Sequence, residues 1–359
     1  MNSLAKRATC FIMTFLAIGF VTCTRCCTSL AAGGLESNGK KTKTIEIKCV
    51  GDSVTEGMSL EDHHTAVVGG STYPSLLLTM LNENGINAKV ENAGHGGEQT
   101  SAIVARLGVC KMTFSEDFTF NSEGCIGPIN DKIIADYGKG LQIPITFSYT
   151  LTDINPVIIN GKQYIARVNV TQDKKRLVYL YKDANDNTAV IKKGSTIKLI
   201  GGVNNNSINI IFAGINDNKT ITIDQYIAML KKGAEAKGKK YIILGPHSNI
   251  YEREGFVSGA TTEERRQNYR NRMQAEFGNH FIDLNNDWYE RALPIALESG
   301  FFADLNQNQI KDIQLKLNNR TIPGAFTVNG KDYNVHLNRA GYTVIARLVY
   351  ERLQLLSYI

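Results

Sequence analysis

No charge of one sign, no metal-ligand spacing and no membrane-length apolar run organises this chain of 359 residues. Its 40 basic and 34 acidic residues leave a net charge of +6. Three of the cations, Lys6, Arg7 and Arg25, fall in the first 32 residues, which contain no acid, so the remainder carries +3. A balance that small makes no electrostatic case for nucleic acid. Beyond residue 32 only Cys49, Cys110 and Cys125 remain of seven cysteines, and they show neither Cys-x-x-Cys nor a zinc-type spacing. The phosphate-cradling Gly-x-x-x-x-Gly-Lys-Ser/Thr loop and the His-Glu-x-x-His helix are both missing. So is Gly-x-Ser-x-Gly, which argues against the serine-hydrolase scaffold built on that turn. There is no internal repeat or low-complexity tract, and no cofactor is expected.

What is present begins with an export signal. Lys6 and Arg7 precede an apolar stretch over residues 10–21, and Ser29-Leu30-Ala31-Ala32-Gly33 supplies the small residues of a cleavage site. Residues 1–32 are expected to be a secretory signal peptide, placing the mature protein in the periplasm, at the cell surface or outside. The apolar stretch is short for a membrane span. Membrane attachment would follow only if the leader were retained or a lipid were added at Cys23, where Phe20-Val21-Thr22 fits poorly. In an oxidising compartment Cys110 and Cys125 either pair or stay free, and Cys49, inside a strand, reads as a core thiol.

The rest of the chain alternates strands with helices. Residues 44–49 alternate apolar and polar with a two-residue period, residues 86–91 form a second strand, and 208–212, 241–244 and 281–284 read as buried strands. Helices are expected at 74–85, 100–107, 222–236, 263–277, 289–297 and 338–355. This rhythm implies an α/β fold with a mostly parallel sheet. It breaks between residues 111 and 203, where short alternating runs separated by turns such as Asn160-Gly161 indicate a small antiparallel β insert. The expected organisation is an α/β domain made of residues 44–110 and 204–359, interrupted by a β-rich subdomain over 111–203.

Polar motifs sit where the strands end. Gly51-Asp52-Ser53 follows the first strand, Asn92-Ala93-Gly94-His95-Gly96-Gly97 the second, and Ala213-Gly214-Ile215-Asn216-Asp217 the third. Asp332-Tyr333-Asn334-Val335-His336 precedes the last helix. Taken singly, these are turn-forming sequences. In a parallel sheet their strand ends converge on one edge, where open α/β sheets bind ligands. Ser53 is then a candidate nucleophile with His336 as its base, and the Ser53 and Gly97 N–H groups and the Asn216 amide are candidate oxyanion donors.

Together, Gly51-Asp52-Ser53, Asn92 through Gly97, Gly214-Ile215-Asn216-Asp217 and His336-Leu337-Asn338 resemble the blocks of the GDSL/SGNH hydrolases, in that family's order. The resemblance spans about residues 44–99 and 207–359 and omits the insert. It implies a flavodoxin-like three-layer α/β/α fold and metal-free ester hydrolysis. In the family an aspartate usually lies three residues before the histidine. Here Tyr333 holds that place and Asp332 lies one residue further back. Asp332 reaches His336 only if the loop bulges by a residue; a backbone carbonyl or Asp304 is the alternative.

The function expected is an exported serine esterase acting on an O-acyl ester of a small molecule or polysaccharide, O-acetylated carbohydrate among them. A lipid-ester or thioester hydrolase, or a non-catalytic surface protein that binds carbohydrate or another ligand, is the alternative. His63 and His64 read as a solvated loop pair, and Asp304 to Asn308 as a polar loop whose spacing fails the calcium pattern at Gln309 and Leu315. Asn169-Val170-Thr171 and Asn218-Lys219-Thr220 fit the glycosylation sequon.

Overall fold

The computed structural model describes residues 43–146, 154–173, 175–199, 207–217, 219–236, 239–248, 253 and 255–359. The expected signal peptide over residues 1–32 and the sequon residue Asn218 lie outside the described residues.

Two strands open the fold, β1 (Ile45–Gly51) and β2 (Ala88–Gly94). Among the described residues ten strands follow, from β3 (Lys111–Phe114) to β12 (Thr196–Leu199), before the parallel pattern resumes. The last three are β13 (Ile208–Phe212), β14 (Tyr241–Leu244) and β15 (Phe281–Ile282). β1, β2, β13, β14 and β15 form one five-stranded parallel sheet in the order β15-β14-β13-β1-β2. In register, Gly51 lies opposite Gly94 and Val50 opposite Ile211, so the strands carrying the polar motifs end side by side.

Strand periodicity sorts the core into two. On one face Val50, Ala93, Ile211 and Ile243 pack against α3 (Thr100–Arg106), α4 (Ile223–Ala234) and α5 (Thr262–Phe277). On the other, Cys49, Val90, Ile210 and Ile242 pack against α2 (Tyr73–Glu83), α6 (Leu284–Glu298) and α8 (Arg339–Leu355). Trp288 on α6 is fully buried and donates its ring N–H to the Gly341 carbonyl on α8, so its polar atom is satisfied inside the core. α2 starts as expected: Thr72 caps it by accepting from the Ser75 N–H, and Pro74 stands in the first turn, where its missing donor costs nothing.

The β insert is larger than expected, an eight-stranded antiparallel sheet with a further two-stranded pair. Its interior (Phe114, Ile133, Val157, Leu180, Ile197) belongs to the same buried cluster as Val50 and Ile211. The Tyr137 hydroxyl also donates to the Ser101 carbonyl on α3. From Thr42 to Ile359 the chain is one compact unit.

Some boundaries differ from expectation. β2 runs on through Asn92, Ala93 and Gly94, because β1 continues to Gly51 and keeps pairing with it. β15 ends at Ile282 and α6 starts at Leu284. The polar loop expected at Asp304 to Asn308 instead leads into a helix, α7 (Gln307–Asn318). Asn306 caps it by accepting from the Asn308 and Gln309 N–H groups, and Gln309 returns a bond to the Asn306 N–H. That reciprocal Asn-x-x-Gln box was visible in the sequence. Cys49, Cys110 and Cys125 are free and buried. Among the described residues no helix is long and apolar enough to cross a membrane.

Candidate active site

Gly51 ends β1 and Asp52 turns the chain into α1 (Ser53–Glu56), a single helical turn. The Asp52 side-chain carbonyl oxygen caps it by accepting from the Val54 N–H at 2.9 Å, and Gly57 closes it in the left-handed conformation, φ 79°. The end of β2 lies directly against this turn. A Cβ on Gly94 would overlap the backbone of Thr55 and Glu56, so only glycine permits the approach. Ser53 is thus held rigidly at the sheet edge with 5 % of its surface exposed.

His336 comes from the other end of the chain. Its Nε2 lies 3.0 Å from Ser53 Oγ, across 283 positions of sequence. Partial burial lowers the imidazole pKa below its usual 6.5, with the Glu56 charge pulling the other way. The ring is therefore neutral near neutrality, and an unprotonated Nε2 accepts the Ser53 O–H.

Among the described residues neither the Ser53 nor the Gly97 N–H has an intramolecular acceptor, and Gly97 is exposed with φ +81°. The Asn216 amide donates one hydrogen to the Glu98 carbonyl at 3.1 Å, beside Gly97, which leaves its second hydrogen available.

The structure does not bring Asp332 to His336. One Asp332 oxygen accepts from the Gly324 N–H at 2.7 Å and the other lies 3.1 Å from Lys316 Nζ. Tyr333, in the place expected for an aspartate, is 75 % exposed with φ 64°, and Asp304 is exposed too. Among the described residues no carboxylate bonds to the His336 ring. His63 bonds its own loop at the Leu60 carbonyl and His64 lies against His95, and no described cluster of three or more His, Cys, Asp or Glu is arranged to hold a metal.

Several supporting groups escaped the motif reading. Glu56, buried, accepts from the Gly96 N–H at 2.6 Å and ties the glycine loop to α1. Arg106, also buried, bonds Glu98 at 2.8 Å and donates to the Ala93 and Gly51 carbonyls, joining the ends of β2 and β1. Asp217 accepts from both the N–H and the hydroxyl of Thr100, at 2.7 Å each. Burial, reinforced by nearby Asp217 and Glu98, pushes Asp52 up to about 8, so this acid is protonated at neutral pH. His247, at the end of β14, is fully buried and lies 3.0 Å from the Val335 carbonyl through Nε2. The sequence signals available were Asp52 and Asp217, which stand inside the quoted motifs without an assigned role, and Arg106, a lone charge in the otherwise uncharged run 100–107.

No family model, no curated protein and no solved structure matches this chain. The functional reading therefore stands on the residues and their geometry.

Proposed function

We propose that the protein is an exported serine esterase of the SGNH type that hydrolyses O-acyl esters, O-acetylated carbohydrate being the first substrate class to test. The observation that carries this is the 3.0 Å contact between His336 Nε2 and Ser53 Oγ. The strand order is that of flavodoxin-like sheets, with helices on both faces, and this supports a three-layer α/β/α scaffold whose crevice lies beyond the strand ends. The leader over residues 1–32 supports export.

In this mechanism Ser53 Oγ attacks the acyl carbon while His336 Nε2 takes its proton. The negative charge that forms on the carbonyl oxygen is met by the Ser53 and Gly97 N–H groups and the Asn216 amide. The tetrahedral adduct collapses, the C–O bond to the alcohol breaks, and His336 returns the proton to the leaving oxygen. Water, deprotonated by the same imidazole, then attacks the acyl-Ser53 ester, releasing the acid and regenerating the serine.

A fluorophosphonate probe tests the reading directly. Wild-type protein should be labelled, and Ser53→Ala and His336→Ala, still folded by circular dichroism, should not. Folded wild-type protein that takes no label and cleaves no p-nitrophenyl ester of any chain length would leave the surface-binding alternative in its place.

A further inference from the structure

The esterase reading leaves the base histidine without a carboxylate partner among the described residues, which raises the question of what aims its ring. The peptide unit entering His336 is held at both poles. Its N–H donates to Asn334 Oδ1 at 3.1 Å, and its carbonyl, that of Val335, accepts from His247 Nε2 at 3.0 Å. A peptide group is planar, so pinning the oxygen and the nitrogen fixes the plane that carries the His336 Cα. The following carbonyl, His336's own, accepts from the Val328 N–H at 3.2 Å. Asn334 and Val328 belong to the same loop as His336. His247 ties this peptide unit to the carboxyl end of β14 in the parallel sheet.

His247 is itself immobilised. None of its surface is exposed, and its ring sits between those of Phe212 and Trp288, with centroids 6.1 and 6.2 Å away. The Asn285 amide donates to its carbonyl at 3.4 Å, and Arg320 in turn donates to Asn285 and Asn286. A carbonyl can only accept, so the ring proton is on Nε2, and among the described residues the buried Nδ1 has no partner. Burying a histidine with one ring nitrogen unpaired is costly. What the histidine adds is the bond to the residue beside the base. We infer that His247 is a positioning residue for His336: through the Val335 carbonyl it takes over the orienting task that a carboxylate performs in other serine hydrolases.

This inference rests on the esterase reading, and three variants test both. His247→Gln keeps an amide N–H near the place of Nε2; His247→Asn is too short to reach it; His247→Phe keeps the ring and loses the donor. For Asn and Phe, kcat and the rate of fluorophosphonate labelling should fall ~10- to 100-fold with KM within about twofold, since small misplacements of a reacting group carry penalties of that order. Gln should recover most of the loss. If Phe does not fold, the Gln and Asn pair carries the test. A labelled wild type alongside Gln and Asn variants with equal kcat overturns the inference alone. A wild type that is neither labelled nor active overturns the esterase reading, and this inference with it.

Discussion

His247 should make the protein acid-labile by a measurable amount. Burial pushes its imidazole down to about 4 from the ordinary 6.5, the nearby His336 adding to the effect, while the bond to Val335 opposes it. Between pH 6.5 and 4 the unfolded chain binds a proton at this residue that the folded chain refuses. Unfolding therefore takes up protons, and stability falls as the pH falls through that window. The gap between 6.5 and about 4, at ~1.4 kcal/mol per pH unit, corresponds to about 3 kcal/mol lost between pH 7 and pH 4. Other groups titrate in the same range. Asp52, raised by burial to about 8, contributes with the opposite sign, because it is protonated in the folded protein and ionised in the unfolded one. The slope of the wild type alone therefore does not isolate His247. The difference between wild type and His247→Gln does, because Gln keeps the donor and cannot titrate. Urea unfolding at pH 7, 6, 5 and 4 should show the wild type losing about 3 kcal/mol more than the variant, nearly all of it below pH 6.5. Curves that stay parallel to pH 4 would refute a neutral, desolvated His247.

Three further outcomes follow from the site. Because burial depresses His336 and only its neutral form can take the serine proton, kcat/KM should fall with acidification with a midpoint below 6.5; a midpoint above 6.5 in the pH–rate profile would contradict this. Asp332→Ala should leave kcat within ~3-fold of wild type, because its carboxylate serves Gly324 and Lys316; a ~10³-fold loss in esterase assays would place it on the base after all. Asn216→Ala should lower kcat by ~10²–10³ with little change in KM, as expected when a donor acts mainly on the transition-state oxygen; a change confined to KM would move Asn216 into substrate binding.

Much of the fold could be read from local pattern. The two-residue alternation before Gly51, the apolar runs at 208–212 and 241–244, and the cap at Thr72 each depend on a few neighbouring residues, and each element formed where those residues predicted it. α7 was missed although Asn306 and Gln309 encode its cap, because the surrounding helix is mostly polar and has little apolar periodicity to reveal it. Ser53 and His336 stood out because their motifs sit beside a strand end and a helix start. The contacts of the loop that carries His336 could not be found the same way, since loop conformation and long-range contacts choose them. Tyr333 adopts a left-handed backbone, Asp332 is drawn to Gly324 and Lys316, and His247 reaches Val335 from 88 positions away.

The amino-acid order alone determined the α/β rhythm, the antiparallel interruption and the strand ends at which polar chemistry collects, because hydrophobic period and turn preference act over a few residues. Tertiary structure alone decided which buried charges brace those ends, that the insert shares the core of the parallel sheet, and that a buried imidazole, not Asp332, contacts the segment carrying His336. Those outcomes depend on desolvation and on distances between segments far apart in the chain, and neither quantity exists until the chain has folded.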